Sequence, residues 1–381
     1  MKQAKKKKKV VWQQCVGYVF LMFIGVICGA AMVPFLEKSA DNAMLSQRLF
    51  FFAGMCVALF FHLIAHEAGH LVFGLLTGYE FSSFRIGSFM WLKENGKLKF
   101  KRMKIAGTGG QCLMSPPDMK DGKIPIVLYN LGGSIINIVL GILFLAGYLL
   151  CTDVSFISLI LLAFAVVGFI SAMINGIPMR LGAVDNDGYN AFALSKNKEA
   201  VEAFGFQLKV NEQCAKGVRL KDMPAEWFTV PTDEAMKNSM AAVRGVFTCN
   251  RLLDEEKFEE ADATMEHLLE IDSGIVGLHR NLMICDRIYV ELIGENRSNI
   301  IESMMTKEQK RFMKSMKHFP SVLRVNYALA LLYEKDTAKA ETVKNEFEKT
   351  AKTYPYAQDI ESERRLMEIA EEKQYTSLQT N

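Results

Sequence analysis

The stretch FFHLIAHEAGHLVFGLLTGYEF, residues 60–81, places three histidines and Glu67 inside a largely apolar run. His66 and His70 are four residues apart, so on a helix their side chains share one face. Ionisable groups within a segment apolar enough to cross a bilayer are costly, and their default interpretation is function. The stretch therefore predicts a membrane-spanning helix with a polar site inside it.

Three further apolar runs give the chain a membrane half. Half of the 381 residues are hydrophobic, and residues 10–36, 49–66, 124–152 and 154–179 carry no charged side chain. Each run can cross about 30 Å of hydrocarbon. We predict a membrane α-helical fold with four transmembrane helices, at about 14–36, 49–77, 126–150 and 154–178.

The basic residues orient these spans. Residues 1–13 carry six lysines, and the loop 78–123 carries nine Lys/Arg against four Asp/Glu. Basic segments stay on the cytoplasmic side. We therefore predict a retained first span rather than a cleaved signal peptide, a multi-pass protein of the cell membrane, and both termini in the cytoplasm. The net charge of only +3 leads us to expect no nucleic-acid partner.

The basic loop also predicts a cytoplasmic β-hairpin. The runs FSSFRIGSFMWL and LKFKRMKIA flank KENGK, and Asn-Gly between β-rich runs is a strong hairpin signal. Two interpretations stay open: a plain surface hairpin, or an edge that binds an extended peptide by strand addition.

From residue 195 the chain becomes charged and helix-prone. Two segments resemble tetratricopeptide-type helical hairpins, with irregular spacing. We predict a soluble all-α helical-repeat domain at 195–381, after a basic tail at 1–13 and a membrane domain at 14–194. A helical stack of this kind usually offers a concave surface to a peptide or protein partner, whereas a helical bundle without a partner is the alternative. The apolar positions at helical spacing are Phe258, Ala261, Met265, Leu268, Leu269, Tyr327, Ala330, Leu331 and Phe347.

The HEAGH motif has the spacing of a metal site. Two imidazoles on one helical face can bind one Zn²⁺, and Glu67 beside them can accept a proton from a bound water. A third ligand must come from elsewhere. The last two apolar runs contain no acidic residue, and the next acids lie in NGIPMRLGAVDNDGYNAF, residues 175–192. Elimination points to Asp185 or Asp187.

Four ordered motifs together resemble the site-2 protease family of intramembrane metalloproteases. They are HEAGH, the Gly-Gly turn in GTGGQCLM (107–114), the G-x-x-x-N in GGSIIN (132–137), and Asn175 with Pro178 followed by Asp187-Gly188. The resemblance implies one Zn²⁺ held by His66, His70 and Asp187, with Glu67 as the catalytic base. It also suggests that four residues contact substrate: Asn175, Asn137, Gly109 and Gly110.

One departure from the family pattern keeps an alternative open. Asp187 lies 12 residues after Asn175, where the family pattern has about eight, and Asn186 precedes it. Asp185 therefore stays an alternative ligand. Pro178 breaks the last helix, so the loop to Asp187 can fold back toward the histidines. His62 lies on the same stripe as the ligand pair, and we interpret it as a packed, hydrogen-bonded histidine rather than a further ligand.

The expected function is intramembrane proteolysis. Substrates would be membrane-embedded or membrane-tethered peptides, such as regulators, signal-peptide remnants or precursors of small peptides. A protease of the type that trims prenylated proteins would need a glutamate on a later span, and none is present. The remaining alternative is a non-catalytic membrane receptor or scaffold that recruits partners through its helical repeats.

Overall fold

The computed structural model describes residues 43–94, 96–103, 109–117, 124–153, 155–179, 185–195 and 198–379. The predicted basic tail and first span lie outside these residues. The described chain is mostly helical, with one small β-sheet. It divides into two compact units, one from the described parts of 1–80 and 125–196, the other from 81–124 and 197–381.

The first unit contains three helices that are long and apolar enough to cross a membrane. They are α1 (Ala43–Leu76), α2 (Ile126–Leu149) and α3 (Phe156–Gly176), and in α1 the apolar part is Leu49–Leu76. The last three predicted spans are thereby confirmed as apolar helices. Ser155 caps α3 by accepting the Ser158 N–H, and the Ser158 hydroxyl oxygen accepts the Ser155 N–H in return. Such a reciprocal cap satisfies backbone donors that lipid could not.

Glycines let α1 and α2 cross with their backbones in contact. A Cβ at Gly69 would lie 2.5 Å from the Gly132 carbonyl oxygen, and one at Gly132 would lie 2.6 Å from the Gly69 carbonyl oxygen. Small residues at such crossings replace the hydrophobic effect with close packing between spans. After α3, a short helix α4 (Asp187–Ser195) completes the first unit.

The second unit contains a four-stranded sheet where the sequence predicted a two-stranded hairpin. Its strands are β1 (Glu80–Ile86), β2 (Phe89–Glu94), β3 (Lys97–Arg102) and β4 (Gly110–Ser115), in the order β3-β2-β1-β4. The predicted turn joins β2 and β3, with Glu94 opposite Lys97. A second turn, at Gly87 with φ +59°, divides the first predicted run into β1 and β2.

One face of this sheet packs on the helices of the second unit. Met90 and Leu92 are buried in the same apolar core as Tyr289, Val325 and Phe347. The prediction of a separate hairpin missed this, because the sequence offered no pattern that pairs a loop with helices two hundred residues later. The remaining helices are α5 (Lys198–Ala215), α6 (Ser239–Asp254), α7 (Phe258–Glu270), α8 (Gly277–Ile293), α9 (Ser298–Met304), α10 (Lys307–Ser315), α11 (Pro320–Ala328, continued by a π-helical turn Leu329–Tyr333), α12 (Thr337–Ala351) and α13 (Ala357–Gln379). The resemblance of these helices to tetratricopeptide repeats stays a prediction.

Candidate metal centre

Three side chains converge in the first unit at the predicted site. The His66 Nε2 atom lies 2.9 Å from Asp187 Oδ2 and 3.1 Å from His70 Nε2. His70 Nε2 lies 3.3 Å from the same carboxylate oxygen. Both histidines are buried, and Asp187 is partly buried. Two nitrogens and one oxygen therefore face one point from two parts of the chain that are 117 residues apart at their nearest, counting from His70 to Asp187.

The donor set fits zinc. A tetrahedral zinc with bonds of about 2.0–2.2 Å holds its ligand atoms about 3.3–3.6 Å apart. The observed triangle has sides of 2.9, 3.1 and 3.3 Å, so a small outward movement of the side chains would accommodate the ion. Two imidazoles and one carboxylate, with a fourth position for water, are the usual ligands of a catalytic zinc.

The second nitrogen of each imidazole is held by a polar group. His70 Nδ1 lies 2.8 Å from the Tyr129 carbonyl oxygen, which can only accept, so Nδ1 carries a proton and donates it. His66 Nδ1 lies 3.4 Å from the Asn137 amide nitrogen. A Cβ at Gly133 would lie 2.5 Å from the His66 ring, so only glycine there leaves room for the imidazole. These contacts direct both Nε2 atoms toward Asp187.

The loop before α4 is tied to the end of α3 by Asn186. Its amide nitrogen donates to the carbonyls of Ile174 and Ile177, at 2.7 and 2.6 Å. Its amide oxygen accepts from the N–H groups of Met179 and Tyr189, each at 2.9 Å. All four bonds of the side chain are made, so Asn186 fixes the approach of the residue that follows it. Sequence reasoning missed this role, although DNDG contained the signal.

Gly188 allows α4 to lie against the end of α3. A Cβ at this position would be 2.2 Å from the Gly176 carbonyl oxygen, a distance that no side chain tolerates. The longer spacing between Asn175 and Asp187 is therefore absorbed by a loop that Asn186 and Gly188 hold closed. Asp187 is the first residue of α4, where a carboxylate interacts favourably with the helix dipole.

Asp187, rather than Asp185, lies beside the histidines. Among the described residues the cluster of potential ligands consists of His66, His70 and Asp187. Burial acts to raise the pKa of Asp187, but hydrogen bonds from the two imidazoles outweigh burial and hold that pKa below its ordinary value. An ionised carboxylate is the form that binds a metal.

Glu67 follows His66 directly on α1 and is buried to the same extent. Carboxylates are rarely buried to this degree without a role. Its place in the chain, one residue from a potential ligand, is that of a base that serves a metal-bound water.

The other predicted site residues are dispersed. The Asn175 amide donates to the Ser171 carbonyl, one turn earlier on α3, at 3.0 Å. Asn137 is fully buried among side chains and contacts two imidazoles, which does not suit a substrate-binding residue. Gly109 and Gly110 belong to the second unit, where their carbonyl oxygens accept from the Gly87 N–H and from Arg85. His62 is fully buried with both ring nitrogens near polar atoms, as expected for a packed histidine.

Comparison with known proteins agrees with these motifs. The profile of peptidase family M50 matches residues 54–353, so it covers most of the chain and extends well into the second unit. The sequence motifs alone had covered only about residues 50–195. Searches of curated proteins and of solved structures find no match. The chain belongs to peptidase family M50, the site-2 protease family of membrane-embedded zinc metalloproteases.

Proposed function

We propose that this protein is an intramembrane zinc metalloprotease that hydrolyses peptide bonds of membrane-embedded or membrane-tethered substrates. The observation that carries the proposal is the convergence of His66, His70 and Asp187 on one point, with Glu67 adjacent, in a unit of three apolar helices. A zinc ion supplies a water of lowered pKa and polarises the scissile carbonyl.

The side chains divide the work. His66 and His70 are held in place by polar groups on α2, and Asp187 by the Asn186 clamp. Glu67 takes a proton from the attacking water and passes it to the leaving amine. Burial of these groups keeps bulk water from competing with the proton transfers.

The substrate must be locally extended, because a helical peptide hides its carbonyls in its own hydrogen bonds. We propose regulators, signal-peptide remnants or peptide precursors as the substrate class. A short polar break within or beside the substrate span would be the cleavable segment. Strand addition to the outer strand β3, whose side chains are mostly exposed, is one means of holding such a segment and stays a prediction.

Glu67→Gln tests the reaction. The substitution keeps the size of the side chain but removes the base, so cleavage of a membrane-peptide substrate is expected to fall by about 10²–10⁴-fold. Zinc content is expected to stay at one ion per chain, because Glu67 is not a ligand. The measurement compares small membrane peptides in cells that express wild type or variant, with metal analysis of the purified proteins.

The matched control is Glu80→Gln, which changes an exposed carboxylate at the start of β1 in the same way. It is expected to cleave like wild type. If the Glu67 variant processes every peptide at the wild-type rate, the protease proposal is wrong. The alternative of a non-catalytic receptor or scaffold would then be favoured.

A further inference from the structure

A line of buried polar groups leads from the metal centre into the helix bundle. His66 and His62 lie one helical turn apart on α1, and the Asn137 side chain of α2 reaches both. The far nitrogen of His62, Nε2, lies 2.9 Å from the Phe164 carbonyl oxygen of α3. The line thus joins all three spans, and both His62 and Asn137 are fully buried.

His62 constrains the Asn137 amide from one side. A carbonyl oxygen only accepts, so His62 Nε2 must carry a proton and donate to Phe164. In a neutral imidazole the other nitrogen, Nδ1, is then an acceptor. The Asn137 amide atom beside it, 3.0 Å away, must therefore be the NH₂ group.

His66 constrains the same amide from the other side. When Nε2 of an imidazole binds a metal, its Nδ1 carries the proton and donates it to an acceptor. The Asn137 amide atom near His66 Nδ1 must then be the oxygen. A 180° rotation of the amide exchanges oxygen and nitrogen at these two positions, and the hydrogen-bond network selects between them. Both histidines select the same orientation independently.

The surroundings of His62 are shaped for this contact. In α3 the Phe164 carbonyl faces Gly168, the residue one turn later. A Cβ at Gly168 would lie 2.7 Å from His62 Cε1 and 3.1 Å from His62 Nε2. The glycine therefore opens the wall of α3 so that the ring reaches a carbonyl already used in the helix. A merely space-filling residue would need no such opening.

We propose that His62 and Asn137 are positioning residues that fix the tautomer of His66 in which Nε2 faces the metal. The proposal rests on the proposed zinc site. His62 holds the amide in one orientation, the amide oxygen accepts the His66 Nδ1 proton, and Nε2 keeps its lone pair for zinc. His70 obtains the same orientation more simply, from the Tyr129 carbonyl.

The test measures zinc affinity of the purified full-length protein by competition with a chromophoric chelator, so it needs no substrate. Asn137→Ala is expected to weaken zinc binding by about 10–100-fold, the usual effect of removing a group that orients a ligand. Asn137→Asp keeps an acceptor for His66 Nδ1 and is expected to restore the affinity. His62→Phe leaves the amide free to rotate and is expected to weaken binding less than Asn137→Ala.

The matched control is Asn130→Ala. Asn130 is a buried asparagine on the same helix α2, but its amide donates to the Ile126 carbonyl of its own helix. Its loss is expected to leave zinc affinity unchanged. Cobalt-substituted protein gives a second readout, since a change in the absorption bands of bound cobalt in Asn137→Ala, absent in Asn130→Ala, reports an altered ligand geometry.

Two results separate the possible failures. If wild type binds zinc and folded Asn137→Ala binds it equally well, the positioning role is overturned while the protease proposal stands. Equal weakening by Asn137→Ala and Asn137→Asp would also overturn it, because the defect would then be one of packing. If wild type itself holds no zinc, the proposed function fails. Should Asn137→Ala not fold, the comparison of His62→Phe with wild type decides in its place.

Discussion

At the scale of single residues, the two aspartates of DNDG differ in what they can reach. Asp187 Oδ2 lies within 3.3 Å of both imidazole Nε2 atoms. Asp187→Asn is expected to lower zinc occupancy of the purified protein strongly and to abolish proteolysis, because a neutral amide replaces the anionic ligand. Asp185→Asn is the control and is expected to retain zinc. Zinc loss in the Asp185 variant alone would reverse the assignment.

At the scale of secondary structure elements, the contact between α4 and the end of α3 sets the third ligand. Gly188→Ala would force a Cβ against the Gly176 carbonyl, at 2.2 Å in the present backbone. Overpacking of this kind costs about 1–3 kcal/mol, so α4 is expected to shift and zinc affinity to fall. Zinc titration of the purified variant checks the expectation.

Gly147→Ala provides the comparison for this prediction. Gly147 lies in α2, and its Cβ would meet the Leu161 side chain at an ordinary 3.6 Å. This variant is expected to bind zinc like wild type. If both glycine variants bind zinc equally well, the close approach of α4 to α3 does not control the position of Asp187.

At the scale of the whole molecule, the second unit carries carboxyl groups buried around a cavity of about 300 Å³. Burial raises the pKa of Asp359 and of Glu363 each to about 7. The folded state therefore binds more protons than the unfolded state between pH 4 and 7, and this contribution to stability is lost as pH rises through that window.

Asp359→Asn is expected to raise the free energy of unfolding at pH 8 by about 1 kcal/mol or more, since one pKa unit corresponds to about 1.4 kcal/mol. Near pH 4, where the carboxyl is protonated in both states, the gain should vanish. Denaturant unfolding followed by the fluorescence of Trp91 and Trp227, in a Trp12→Phe background, measures this. Glu368→Gln, a half-exposed site on the same helix α13, should leave the pH dependence unchanged. A gain for Asp359→Asn that is equal at both pH values would contradict the expectation.

The orientation in the membrane is a second prediction at this scale. With a cytoplasmic basic tail and four spans, the junction at Asp153 lies outside and the C-terminus inside. Alkaline phosphatase fused after residue 153 is expected to be active, and the same enzyme fused after residue 381 inactive. The opposite pattern would mean that the charge of the loop 78–123 does not control the topology.

The sequence by itself determined the features that depend on local pattern. The three described spans follow from uninterrupted apolar runs, the β2–β3 turn from Asn-Gly, and the placement of His66, Glu67 and His70 from helical periodicity. These features need no knowledge of neighbours, because chain period and transfer free energy are properties of the segment.

Only the tertiary structure decided which aspartate reaches the histidines, that Asn186 clamps the loop, and that Asn137 contacts two imidazoles. It also added β1 and β4 to the predicted hairpin and packed the sheet on distant helices. The physical reason is common to all of these. Each depends on a close approach between segments far apart in the chain, through backbone contacts at glycines such as Gly133, Gly168 and Gly188, and no local pattern specifies which distant group fills the space that a glycine leaves.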